Sequence, residues 1–196
     1  MAKTGLRERK RLAAMRRIQE TAFELFERDG YDAVTIEQIA DQAEVSPSSV
    51  YRYFGTKERV VLWDEYDPPA FERFAAELRE HPPLEAMRLA IDLVGAQFLG
   101  PDRARVERTT RLAFEEPAVT AAMRQELDAA AEAIAELVAD ARAMHRDDLA
   151  VQVFARAVVA AIEAALRTWH AGGFEASLVD LLHDALGALE GGLDLR

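Results

Sequence analysis

Apolar residues recur every three or four positions along most of the chain, and this spacing predicts amphipathic α-helices. The first such stripe runs through residues 7–28 and ends at Gly30, which can close a helix C-terminus without a side-chain clash. No segment shows the alternation of apolar and polar residues that is typical of a half-buried strand. The pattern therefore predicts an all-α fold.

Two short helices are predicted after Gly30. Thr35 and Gln38 have the spacing of a capping box, so a second helix begins directly after Thr35. Ser46 and Pro47 mark the start of a third helix, because a serine hydroxyl can accept a backbone N–H and proline supplies a helical φ. The tight turn at 44–46 joins the two helices, which predicts a helix-turn-helix over about residues 35–54.

The third helix is predicted to turn Val50 and Phe54 inward and to expose hydroxyl, phenol and guanidinium groups, which can contact base edges and phosphates. A lone tyrosine there would more often cover the core, but two tyrosines flanking Arg52 favour DNA binding. Helix N-termini attract phosphates, so Thr35 and Lys57, at the starts of the second and fourth helices, are also predicted to contact DNA. The predicted DNA contacts are Thr35, Pro47, Ser48, Ser49, Tyr51, Arg52, Tyr53 and Lys57.

Residues 23–61 read FELFERDGYDAVTIEQIADQAEVSPSSVYRYFGTKERVV and resemble the DNA-binding signature of the TetR family. The resemblance implies that the predicted contacts above meet the operator, with Arg52 more often on the flank. It also implies repression that a small-molecule effector relieves. Glu44 departs from the pattern, since many members have glycine there, and a positive φ would strain it. The segments TGLRERK and WHAGG resemble actinobacterial members, including regulators associated with mycofactocin genes.

The same resemblance implies two domains, a three-helix DNA-binding domain over residues 1–67 and a larger helical effector-binding and dimerisation domain over 68–196. Residues 147–171 and 175–189 are the most apolar and alanine-rich segments. Because they carry more apolar face than one small core requires, they are predicted to pair with a second copy in a four-helix bundle. Such a homodimer would place its third helices in successive major grooves of a pseudo-palindromic operator, about 34 Å apart.

Charge is distributed unevenly along the chain. The net charge is −11, yet residues 1–17 hold seven basic residues and one acidic residue. A basic arm on an acidic body suits an approach to phosphates, although a solvated tail without a partner is the alternative. If the arm and the third helix bind DNA, affinity falls steeply with salt. Salt-independent binding would instead favour a helical protein-interaction module.

Four aromatic residues are candidates for lining an effector pocket, although aromatics at helical spacing more often belong to the core. They are Phe98, Phe114, Phe154 and Trp169. The resemblance suggests an apolar or amphipathic effector such as an acyl thioester. Coupling between the effector and the DNA is expected to run through the end of the fourth helix, near residues 63–66.

Other classes of protein find little support. The chain has no cysteine and shows no glycine-rich phosphate loop, nucleophile elbow or metal-binding motif, so we predict no catalytic residues, metal or cofactor. The longest apolar stretch, 149–169, is interrupted by Gln152, Arg156, Glu163 and Arg167, which argues against a membrane span. A cytoplasmic location is expected.

Overall fold

The computed structural model describes residues 5–65, 67–95 and 102–193. These residues form α-helices joined by short turns and contain no strand, which confirms the predicted all-α fold. The helices are α1 (Leu6–Asp29), α2 (Ile36–Gln42), α3 (Pro47–Phe54), α4 (Lys57–Leu62), α5 (Asp67–Glu77), α6 (Pro83–Val94), α7 (Arg103–Glu115), α8 (Pro117–Arg142), α9 (Leu149–Ala171) and α10 (Leu178–Glu190).

Helices α1 to α4 share one apolar core. Ile18 and Phe23 of α1, Ile39 of α2, Val50 of α3 and Val60 of α4 are all buried in it. Ala40 of α2 is completely buried as well, at a position where a small side chain suits closely packed helices. Helix α1 packs against α2 and α4, while α2 and α3 pack against each other.

Prolines set several of the helix boundaries. Pro83 and Pro117 occupy the first positions of α6 and α8, where no backbone donor is needed. Pro68 and Pro69 lie in the first turn of α5, which begins at Asp67. Helix α4 ends at Leu62, and residues 63–65 follow it as connecting chain. The expectation that the fourth helix reaches residues 63–66 was therefore wrong for 63–65, and residue 66 lies outside the described residues.

Helices α5, α6, α8, α9 and α10 bury a second apolar core, which includes Phe74, Ile134, Val158 and Leu186. The two segments predicted as 147–171 and 175–189 are α9 and α10, which begin two or three residues later than expected. Helix α7 contributes Ala113 to the first core and contacts α4, α8 and α9. It is therefore placed to connect the N-terminal helices with the rest of the chain.

Helix α9 is, by length and composition, apolar enough to cross a membrane, and only a third of its most apolar stretch is buried within this chain. The same property is found in a core helix that packs against a partner. The expected absence of a membrane span stays a prediction.

Candidate nucleic-acid interface

The N-terminus of α2 is held by the capping box that the sequence predicted. The Thr35 hydroxyl accepts the backbone N–H of Gln38 at 3.2 Å, and the Gln38 side-chain oxygen accepts the backbone N–H of Thr35 at 2.8 Å. Thr35 itself is exposed. The N-terminal end of α2 is therefore accessible at Thr35, as a phosphate contact requires.

The turn between α2 and α3 is tight and contains a strained residue. Glu44 has a φ of +54°, in the left-handed region that glycine adopts more easily. The next backbone N–H, that of Val45, donates to the carbonyl of Ala40 at 2.9 Å and closes the end of α2. The positive φ expected at Glu44, where many TetR members have glycine, is thus present, and the fold accommodates it.

Helix α3 has one buried face and one exposed face. Val50 and Phe54 are buried, as predicted. Ser46 caps the helix by accepting the Ser49 backbone N–H at 3.2 Å. The predicted contacts Pro47, Ser48, Tyr51 and Arg52 are exposed, whereas Ser49 and Tyr53 are half-buried.

The long side chains of α3 are held by their neighbours while they remain accessible. Tyr51 is 48% exposed, and its hydroxyl donates to Oε1 of Glu37 in α2 at 3.2 Å. This hydrogen bond, with the negative charge of Glu37, raises the pKa of Tyr51 and keeps the phenol protonated. The Arg52 guanidinium lies 4.9 Å from the centre of the Tyr53 ring and donates to Oγ of Ser49 at 3.4 Å.

Lys57 has a structural role that the sequence pattern does not indicate. Its Nζ donates to the carbonyl oxygens of Tyr31 at 2.8 Å and Val34 at 2.9 Å, and it lies 4.1 Å from the centre of the Tyr31 ring. These contacts fix the loop between α1 and α2 against the start of α4. A phosphate contact by Lys57 stays a prediction. Lys57 is the first residue of α4, and its ammonium group contacts Val34, directly before the Thr35 cap of α2.

Family comparisons agree with this arrangement. Residues 18–62 match the family described as bacterial regulatory proteins, tetR family, and residues 81–194 match the MftR C-terminal domain, a TetR C-terminal family. The second match alone covers more than half of the chain. The chain belongs to the TetR family. Because this is a family of bacterial regulatory proteins, the predicted class of DNA-binding transcriptional regulator is confirmed at that level, and the MftR match is consistent with the predicted mycofactocin-associated type.

Two curated regulators are similar to the chain over part of its length. TcmR from Streptomyces glaucescens is 39% identical over 87 residues, which is 42% of this chain and 38% of TcmR. A regulator encoded in the dhlA 5′ region of Xanthobacter autotrophicus is 38% identical over 81 residues, which is 40% of this chain and 38% of that protein. The chain thus matches well under half the length of each relative.

Solved structures show the same TetR fold. A regulator from Syntrophomonas wolfei has a TM-score of 0.63 at 17% identity, covering 93% of this chain and 97% of that one. FadR from Thermus thermophilus, solved with lauroyl-CoA, has a TM-score of 0.56 at 23% identity, covering 93% and 96%. At these identities the likeness concerns the fold.

One buried amide connects α1 with the end of α4 and with α7. Gln19 of α1 is completely buried, and its Nε2 donates to the carbonyl oxygens of Val60 at 3.0 Å, Val61 at 3.1 Å and Trp63 at 2.8 Å. Its Oε1 accepts a hydrogen bond from Arg105 of α7 at 3.2 Å. The only sequence signal for this role is a polar residue on the apolar stripe of α1.

Charged groups surround that connection. The Glu65 carboxylate accepts from Nε of Arg16 at 2.6 Å and lies 3.7 Å from Nη2 of Arg105. Arg105 also donates to Asp102 at 3.2 Å. Burial and the charges of Glu65 and Asp102 raise the pKa of Asp64 to about 6, although Arg105 opposes the shift. The end of α4 therefore lies in a polar network shared with α7.

Among the described residues predicted for the effector pocket, Phe114 and Trp169 belong to one aromatic group and Phe154 lies in another cluster, so the pocket stays a prediction. Trp169 is buried against Phe174, and its indole N–H donates to the carbonyl of Ala176 at 3.0 Å. Phe114 belongs to the same aromatic group through His170, which lies 5.6 Å from both Phe114 and Phe174. Phe154 packs separately, against the second core. Phe98 lies outside the described residues.

Two surface depressions are lined by residues other than the predicted aromatic set. A groove of about 410 Å³ between α8 and α9 is lined by residues that include Leu127, Ala131 and Val159, and a cleft of about 460 Å³ between α1 and α7 includes Arg16 and Arg105. Within residues 5–65, 67–95 and 102–193, no group of three or more histidine and carboxylate side chains is placed to hold a metal ion.

Proposed function

We propose that this TetR-family protein is a homodimeric repressor whose α3 helices read a pseudo-palindromic operator and which a small amphipathic effector releases. The observation that carries the proposal is α3 itself, a capped helix anchored by Val50 and Phe54 that leaves Tyr51 and Arg52 accessible. A helix of this length, packed at a fixed angle against α2, suits the major groove of DNA.

The proposed contacts divide by chemistry. Small and exposed Pro47 and Ser48 allow the start of α3 to approach the bases, and Tyr51 offers both a ring and a hydroxyl. Thr35 and Lys57 lie at the N-termini of α2 and α4 and are assigned to phosphates. Three further contacts on α3, at Ser49, Arg52 and Tyr53, complete the set.

The proposed dimer uses α9 and α10. Leu149 and Val153 on α9 are 78% and 57% exposed, and Ala160 and Ala164 continue the same exposed side of the helix. Arg156 and Arg167 interrupt this stripe. Its alanine side chains let two helices approach closely, and its exposed apolar side chains are costly in water. Pairing with a second copy would bury the stripe in a four-helix bundle, which fits a cytoplasmic protein.

DNA binding is tested with duplexes carrying the sequence upstream of the protein's own gene. Tyr51→Ala is expected to weaken binding about tenfold or more, since a good base contact contributes roughly 1–3 kcal/mol. Met144→Ala is a suitable control, because Met144 is also about half exposed but lies beyond the end of α8. Fluorescence anisotropy over a range of salt concentrations measures both affinity and its salt slope.

Two results would contradict the DNA-binding proposal. Equal affinities for wild type and Tyr51→Ala would remove α3 from the interface. Binding that does not weaken as salt rises would exclude a phosphate-dominated interface and would favour a helical protein-interaction module.

The effector proposal has its own experiment. The MftR-type domain match and the lauroyl-CoA bound to the Thermus thermophilus neighbour make lauroyl-CoA the first compound to test. If it binds the folded protein, it raises the melting temperature by an amount that grows with the logarithm of its concentration divided by its Kd, and it lowers operator affinity. A compound that raises the melting temperature without changing operator affinity is a ligand but not the effector.

A further inference from the structure

We propose that Glu37 and Tyr51 act together as a single hydrogen-bond-accepting edge, which selects a base that presents an exocyclic amine in the major groove. The inference rests on the proposed reading of DNA by α3 and specifies what that surface recognises. The bases in question are cytosine, through N4, and adenine, through N6.

The two side chains come from different helices. Glu37 is exposed in the first turn of α2, and Tyr51 is exposed near the middle of α3. The buried side chains of Ile39 and Val50 hold the two helices in one core, so the distance between Glu37 and Tyr51 is set by packing. The resulting hydrogen bond, 3.2 Å from the phenol oxygen to Oε1, crosses from α3 to α2 on the accessible side.

The hydrogen bond determines what the pair can offer to a base. A phenol has one hydrogen, and here Tyr51 donates it to Glu37. The lone pairs of the phenol oxygen and the second oxygen of the carboxylate remain, and all of these are acceptors. An acceptor-only edge is complementary to an amine and meets only acceptors at guanine N7 and O6 or at thymine O4.

The charge of Glu37 strengthens this selection by penalising other sequences. A carboxylate on a DNA-facing surface is repelled by phosphates, so it weakens binding to any duplex that offers no donor in return. Specificity can arise from such a penalty against the wrong partner. Glu37 would therefore lower non-specific affinity and at the same time orient Tyr51 for the correct base.

The test is a selection of duplexes from a randomised pool by wild type, Glu37→Gln, Tyr51→Phe and Asp41→Asn. The glutamine side chain adds an N–H₂ donor and removes the charge, so guanine or thymine becomes acceptable. The preference for an amine at one position of each half-site is expected to fall about tenfold. Tyr51→Phe is expected to lose the same preference, because the carboxylate is no longer joined to α3.

Asp41→Asn is the matched control. Asp41 is an exposed carboxylate on the same helix, and its substitution removes a charge of the same size. Because the Glu37–Tyr51 hydrogen bond is left in place, the base preference of wild type should persist. A wild-type pool with no preferred sequence would overturn the proposed function itself. A defined wild-type sequence that Glu37→Gln selects with unchanged preference would overturn only the Glu37–Tyr51 inference. Full retention of the preference by Tyr51→Phe would show that the two residues do not act together.

Discussion

Replacing Gln19 by methionine tests the connection between α1, α4 and α7. Methionine has nearly the same size and shape as glutamine but neither donates nor accepts a strong hydrogen bond. The substitution would remove the donor that serves the carbonyls of Val60, Val61 and Trp63 and the acceptor used by Arg105. Packing at this completely buried position is otherwise preserved.

The magnitude follows from the groups that are left behind. Val61 keeps the hydrogen bond that its carbonyl accepts from Thr109 at 3.2 Å, so the carbonyls of Val60 and Trp63 bear most of the loss. An unsatisfied buried acceptor costs about 1–3 kcal/mol, and the apolar contacts of methionine offset part of it. We expect the free energy of unfolding to fall by about 2–4 kcal/mol, which lowers the melting temperature by roughly 5–15 °C in a chain of this size.

The measurement is urea and thermal unfolding followed by circular dichroism, at one protomer concentration because a dimer's stability depends on it. Gln125→Met is the control, since Gln125 is exposed in the middle of α8. It should change the free energy of unfolding by less than about 0.5 kcal/mol. If Gln19→Met is equally harmless, the buried amide does not stabilise the end of α4, and the reasoning from its hydrogen bonds is refuted.

Three further changes test local features. Thr35→Ala removes the capping box and should lower the free energy of unfolding by about 1 kcal/mol in a urea titration, whereas Thr35→Ser keeps the cap and should not. Glu44→Gly relieves the φ of +54° and should raise the free energy of unfolding by about 0.5–1 kcal/mol; a decrease would show that the turn is not strained. Burial raises the pKa of Asp64 from 3.8 to about 6, so the folded state holds this proton more tightly and the free energy of unfolding falls as pH rises through that range. Asp64→Asn should flatten that part of the pH profile, and an unchanged slope would mean that another group titrates.

Local rules were sufficient to predict the frame of the proposed DNA-binding surface. The Thr35 capping box, the Ser46 cap and the positive φ of Glu44 each depend on a few neighbouring residues, so their spacing in the sequence specifies them. The inward positions of Val50 and Phe54 follow from helical periodicity for the same reason.

Contacts between distant segments were not predictable in this way. Lys57 has the pattern of a phosphate ligand, but in the fold it meets the Tyr31 and Val34 carbonyls, which only the packing of α1 against α4 brings within reach. Gln19 likewise interacts with chain more than forty residues away. Phe114 and Phe154 were grouped as one pocket by residue type, yet tertiary packing places them in different clusters.

These long-range contacts suggest how a change at α7 would reach α2 and α3. Gln19 and Thr109 hold the C-terminal end of α4, while Lys57 at its N-terminal end holds the loop that leads to Thr35. Helix α4 therefore joins α7 to the start of α2 in one short rigid element. An effector shifts an equilibrium only through contacts that differ between states. An effector that leaves α7 in place would consequently leave the DNA-binding helices unchanged along this route, whereas one that moves Arg105 would act on the C-terminal end of α4 through Gln19.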